Sequence, residues 1–154
     1  MRMQGAMQGG LHESGGVNKL ATAQACPCGG ASFGDCCGRF LDRERGLLPA
    51  SAEELMRSRY TAYVLRDDEW LRRTWHSRTR PEGAVTEEGA TWLGLEVRRH
   101  APPLSGDAAG AATVEFVARY RADGRGHRLH EISRFEREDG QWRYVDGSFP
   151  EKKK

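Results

Sequence analysis

Four cysteines fall within twelve residues, as Cys26-Pro-Cys28 and, seven residues on, Cys36-Cys37. So dense a cluster leaves few structures open. Two disulfides inside this stretch would be strained, and the neighbours Cys36 and Cys37 cannot easily pair with each other. Four thiolates do suit a tetrahedral metal, which needs soft ligands converging at about 2.3 Å. Glycines at 29, 30, 34 and 38 let the chain turn and point backbone amides at the sulfurs. The spacing predicts a zinc knuckle over 26–40, with Cys26, Cys28, Cys36 and Cys37 as its ligands. Four protein ligands leave no open position, so such a zinc is expected to be structural. The competing reading is four ordinary thiols in a redox-sensitive loop.

The knuckle is too short to be the whole fold. The 154 residues are 38% hydrophobic and 30% charged, which allows one modest core beside it. No apolar run approaches the ~20 residues of a membrane helix. The first residues lack the apolar stretch of a secretory signal, so a cytoplasmic location is expected. Residues 1–25, rich in Gly, Gln, Ala and Ser, read as a flexible leader, and 151–154 as a basic tail. The net charge of +2 lies in those ends: the tail carries +2, the leader +1, and the body 26–150 carries −1. A body without a basic excess gives no strong nucleic-acid signal.

Residues 49–150 read as a main domain whose hydrophobic period changes half-way. Ser51-Ala-Glu-Glu54 is a capping box, opening a helix with Ala52, Leu55, Met56, Tyr60, Tyr63 and Val64 in an apolar stripe. Asp67 and Asp68 favour the start of a second helix that buries Trp70, Leu71, Thr74 and Trp75. Pro81 and Gly83 end the helical part. Beyond them residues alternate. Leu93, Leu95 and Val97 share one face of a strand, Val114, Phe116, Ala118 and Tyr120 one face of the next, and Leu129, Glu131, Ser133 and Phe135 one face of a third. Trp142 and Tyr144 finish the series. Asp123-Gly124 and Asp139-Gly140 fall between these runs and predict tight hairpins, while APPLSGDAAGA is a longer linker between the first two strands. Helices followed by an antiparallel meander imply an α+β fold with the helices on one sheet face.

The blocks CPCGG and CCG resemble a SEC-C motif, the short zinc knuckle found at the end of the SecA preprotein translocase. LMRSRYTAYV at 55–64, TWH at 74–76, TWLGLEV at 91–97, EISRF at 131–135 and QWRYVDG at 141–147 resemble the YchJ family, in order and over about 26–150. The resemblance implies a nuclear transport factor 2-like main domain, helices packed on a curved, cone-like antiparallel sheet. It implies a zinc site and a knuckle that docks onto a protein or ribosome partner. It implies no particular reaction. The loop GGASFGD departs from the pattern by lacking the customary basic residues.

A cone of this kind often encloses a pocket, and related folds host isomerases, dehydratases and binding proteins alike. The catalytic candidates are Glu131, Asp146 and His76. The pocket or ion-pair candidates are Arg57, Arg59, Tyr60, Trp75, Ser133, Trp142 and Tyr144, with Trp92 in their company. Glu131 shares a strand face with apolar neighbours, as a general base of raised pKa would. The blander reading pairs it with Arg57 or Arg59 in a structural ion pair. His76 reads as a helix-end capping residue, and Asp146 before Gly147 as the end of a strand. No Ser-His-Asp order, phosphate-binding glycine loop or HExxH pattern is present. The sequence thus favours an interaction module on a pocket-bearing scaffold. A small-molecule isomerase, dehydratase or hydrolase using Glu131 or Asp146 is the alternative.

Overall fold

Ser51 opens the main domain as its capping pattern requires. In a computed structural model of the chain, describing residues 20–86, 89–101 and 110–150, Ser51 Oγ accepts the amide of Glu54 at 3.1 Å. The Glu54 carboxylate reaches back to the amide of Ala50 at 2.8 Å. The predicted leader up to residue 19, the linker residues 102–109 and the basic tail 151–154 lie outside the described residues. A one-turn helix α1 (Gly38–Leu41) closes the cysteine-rich segment, α2 spans Ala52–Leu65 and α3 spans Asp68–Arg73. Asp67 separates the two longer helices. It caps α3 by accepting the Trp70 amide at 3.1 Å, and takes both prongs of Arg43 at 2.7 and 2.9 Å.

Four strands follow, β1 (Ala90–Ala101), β2 (Ala111–Ala122), β3 (Arg125–Glu138) and β4 (Gln141–Ser148), paired in sequence order and antiparallel throughout. The two Asp-Gly pairs make the β2–β3 and β3–β4 turns with positive φ at both residues, 55° and 74° for the first, 57° and 78° for the second. That is the type I′ geometry whose twist matches a two-residue hairpin. The helices lie on one face, with α2 packed against β1, β2 and β4. The protein is therefore α+β, with helices on a curved antiparallel sheet and a four-cysteine knuckle at its N-terminal side.

Strand β1 differs from its expected alternation. Irregularities between Trp92 and Gly94 and between Val97 and Arg99 each insert an extra residue, reversing the side-chain phase. Leu93 is the inserted residue at the first and stands 50% exposed instead of sharing the face of Leu95 and Val97. Trp92 turns inward in its place, its ring 6.1 Å from Tyr60 and 4.8 Å from Tyr120. A second departure is in α2, which buries Ser58, Arg59 and Thr61 as well as its apolar stripe. The helix is covered on two sides, by the sheet and by the knuckle. One continuous core consequently runs from Cys26, Cys37 and Phe40 through Leu55 and Met56 to Phe116, Phe135 and Tyr144.

Candidate functional site

The four cysteine sulfurs all lie within 4.8 Å of one another. Four sulfurs at about 2.3 Å from a common metal would be about 3.8 Å apart, and the Cys28 and Cys36 sulfurs already lie 3.5 Å apart. The backbone is shaped for it. Amides and carbonyls tie Cys26 to Ala31 and Gly29 to Cys26 at 3.0 Å, folding the Cys-Pro-Cys turn back on itself. A Cβ added at Gly30 would meet Cys36 Sγ at 2.5 Å, so only glycine lets the chain pass beneath that sulfur. Without a cation, burial and the neighbouring Cys28 push the Cys36 thiol up to about 12. Such crowding of thiols is relieved by a divalent cation, which stabilises all four as thiolates.

The knuckle is docked on α2 through its own sulfurs. Thr61 Oγ1 lies 3.7 Å from Cys26 Sγ. Arg57 donates to the carbonyl of Cys28 at 3.0 Å and approaches its Sγ at 3.8 Å, while its Nε pairs with Glu53 at 3.0 Å. Arg57 therefore belongs to the cysteine site and not to the cone interior. Thr61 escaped the sequence reading. The signal that points to it is its spacing of four from Arg57, which puts both polar groups on one helix face.

Arg59 is fully buried beneath the sheet. It donates to the carbonyl of Leu71 at 2.9 Å and to Thr74 Oγ1 at 2.6 Å, placing a cation at the C-terminal end of α3 where helix carbonyls point. Its guanidinium lies 5.0 Å over the Trp75 ring and 4.7 Å over that of Tyr144. The Tyr144 hydroxyl donates to Glu131 at 3.1 Å, and Ser133 Oγ donates to the same carboxylate oxygen at 2.8 Å. Burial and the adjacent Glu131 raise the Tyr144 pKa, so the phenol stays a donor. Glu131 Oε1 is buried without a hydrogen-bond partner. A Cβ at Gly147 would overlap this carboxylate, so the glycine opposite makes room for it.

The structure thus gathers Arg59, Trp75, Glu131, Ser133 and Tyr144 into one buried polar core. Tyr60 is buried beside it, its pKa pushed up to about 12 by burial. Trp142 lies under the Arg137 guanidinium at 4.7 Å. Asp146 does not reach the interior: β4 turns it outward, where Arg134 holds it bidentately at 2.6 and 2.8 Å. His76 is engaged at the sheet edge. Its amide bonds the carbonyl of Tyr144, and the Tyr144 amide bonds that of Thr74, both at 2.8 Å, so residues 74–76 cover the free edge of β4. Its Nδ1 accepts the Arg78 amide at 3.2 Å.

Residues 51–147 match the family model described as the middle, nuclear transport factor 2-like domain of YchJ. The chain belongs to the YchJ family. It is 52% identical over 132 residues to a UPF0225 protein of Cupriavidus metallidurans, covering 82% of this chain and 89% of that one. It is 50% identical over 139 residues to a UPF0225 protein of Ralstonia nicotianae, covering 82% and 92%. Among solved structures it is similar to a SEC-C motif containing protein from Rhodopseudomonas palustris, with TM-score 0.70, 33% identity and coverage of 82% and 98%. A second neighbour, a SEC-C motif containing protein from Psychrobacter arcticus, gives TM-score 0.69, 26% identity and 86% coverage of each chain. Among the described residues no helix is long and apolar enough to cross a membrane.

Proposed function

We propose that the chain is a zinc-binding, cytoplasmic interaction module: a structural zinc on Cys26, Cys28, Cys36 and Cys37 holds a knuckle that docks a protein or ribosome partner, and the YchJ domain is its scaffold. The observation that carries this reading is the set of four sulfurs within 4.8 Å, with glycine under Cys36 and no fifth side chain needed. Zinc supplies the charge that makes four thiolates stable together, and reduced thiols suit a reducing compartment. Arg57 and Thr61 would then orient the ligands from outside the coordination sphere. The scaffold reading draws support from the cone interior, where Arg59, Trp75 and Tyr144 side chains pack ring against guanidinium.

Metal analysis of freshly reduced protein should find close to one zinc per chain, and the Cys36→Ser/Cys37→Ser variant should lose it. A partner captured by the parent should be lost by that variant. Protein prepared under reducing conditions without zinc would end the metal assignment, and capture unaffected by the double change would end the docking role. One observation favours a second reading, a small-molecule enzyme with Glu131 as base: one oxygen of its buried carboxylate has no hydrogen-bond partner. Asp146, exposed and held by Arg134, has no place in it.

A further inference from the structure

The balanced charge of the body conceals a concentration of one sign. Arg72 and Arg73 of α3, Arg80 in the loop beyond it and Arg143 of β4 line, with Glu69, a solvent-open groove of about 390 Å³. All five lining residues are charged. The guanidiniums are held mainly by backbone. Arg72 donates to the carbonyls of Pro81 and Gly83 at 2.8 and 2.5 Å, and Arg80 to that of Trp75 at 3.0 Å. Arg143 donates to the carbonyl of Arg73 at 2.9 Å and to the Gln141 side chain at 3.3 Å. Arg73 rests 5.7 Å over the ring of Trp70. A carbonyl fixes a guanidinium in place without neutralising it. Two carboxylates border the groove: Glu69, which lies 3.5 Å from Arg43, and Glu138, 3.8 Å from Arg143, whose oxygens also accept the amide and hydroxyl of Ser77. Arg80 Nε is buried with no hydrogen-bond partner.

We propose that this groove binds the phosphodiester backbone of a nucleic acid. The four arginines outnumber the two carboxylates beside them, and a polyanion laid along them offsets that excess while accepting hydrogen bonds from the unused guanidinium edges. The groove is open and not enclosed, which suits an extended polymer better than a free phosphate ion. It has no apolar lining residue for a peptide to anchor on, whereas nucleic-acid backbones bind through charge alone. It offers neither an aromatic platform nor a neutral polar group to read bases or sugars, so binding is indifferent to sequence and to the 2′-hydroxyl. None of the groove's residues is one of the four cysteines, so its test does not require the metal assignment to hold.

The test is fluorescence anisotropy of the full chain with labelled U and dT oligonucleotides across a salt titration. Both oligonucleotides should bind alike, with a log–log salt slope of about −2 to −3 for three or four neutralised phosphates. Arg73→Gln/Arg143→Gln should weaken binding and flatten the slope by about 1.4, roughly 0.7 for each phosphate no longer neutralised. Arg73→Lys/Arg143→Lys should keep the slope, since charge is what the backbone reads. Arg119→Gln/Arg121→Gln, changing exposed arginines of β2, should leave binding unaltered. Matching thermal unfolding of the variants excludes misfolding as the cause. No binding at low salt, an unchanged slope in the glutamine variant, or tighter binding of an oligoglutamate peptide would each overturn the proposal.

Discussion

Glu131 shows how far one residue can be read before its surroundings are known. Alternation along β3 puts it on the buried face with Leu129, Ser133 and Phe135, and there it lies fully buried. Its choice of partner was open in the sequence, between Arg57 and Arg59. Two residues along a helix turn the side chain through about 200°, so the two arginines leave α2 on opposite sides. Only packing tells which side meets the sheet. Arg59 does, its guanidinium resting over the ring of Tyr144, whose hydroxyl bonds Glu131, while Arg57 meets Cys28. Glu131→Gln would leave the buried guanidinium without its nearby negative charge. The variant should lose about 1–3 kcal/mol in urea unfolding at neutral pH, because the buried Tyr144 and Ser133 hydroxyls lose their charged acceptor. A variant as stable as the parent would favour the enzyme reading instead.

Among the elements, the hairpins are written most plainly. Asp-Gly at 123–124 and 139–140 is the composition that tolerates two successive positive φ angles, and both turns adopt it. Gly140→Ala would force a Cβ into the left-handed region at φ 78°, at a cost of about 1–2 kcal/mol. Equilibrium unfolding should report that loss with the hairpin register intact. The helix starts are equally local, since Ser51 and Asp67 each cap with their own side chains. The bulges of β1 were not legible. A one-residue insertion depends on matching β1 to β2 and on the space that lets Trp92 enter among Tyr60, Tyr63 and Tyr120, which no alternation rule contains. Cover of β4 by residues 74–76 is likewise a long-range pairing.

At the scale of the molecule, knuckle and main domain share one core. Read from sequence, residues 51–147 have their own caps and apolar faces and should outlast the loss of metal from the knuckle. The structure argues otherwise: Cys26, Cys28, Cys37 and Phe40 pack in the same cluster as Leu55 and Met56, and Arg43 ties the segment to Asp67. Chelation should therefore lower the midpoint of a single thermal transition seen by far-ultraviolet and tryptophan signals alike, rather than remove one small separate step. Two resolved transitions would contradict that coupling. The sequence by itself determined the four-cysteine cluster, the capped helices, the Asp-Gly turns and the buried face of β3, because each depends on groups a few residues apart. The tertiary structure decided the partners of Arg57 and Arg59, the outward turn of Asp146, the phase of β1 and the gathering of Arg72, Arg73, Arg80 and Arg143. Those depend on where distant segments meet, which is set by the packing of the whole core and not by any local spacing.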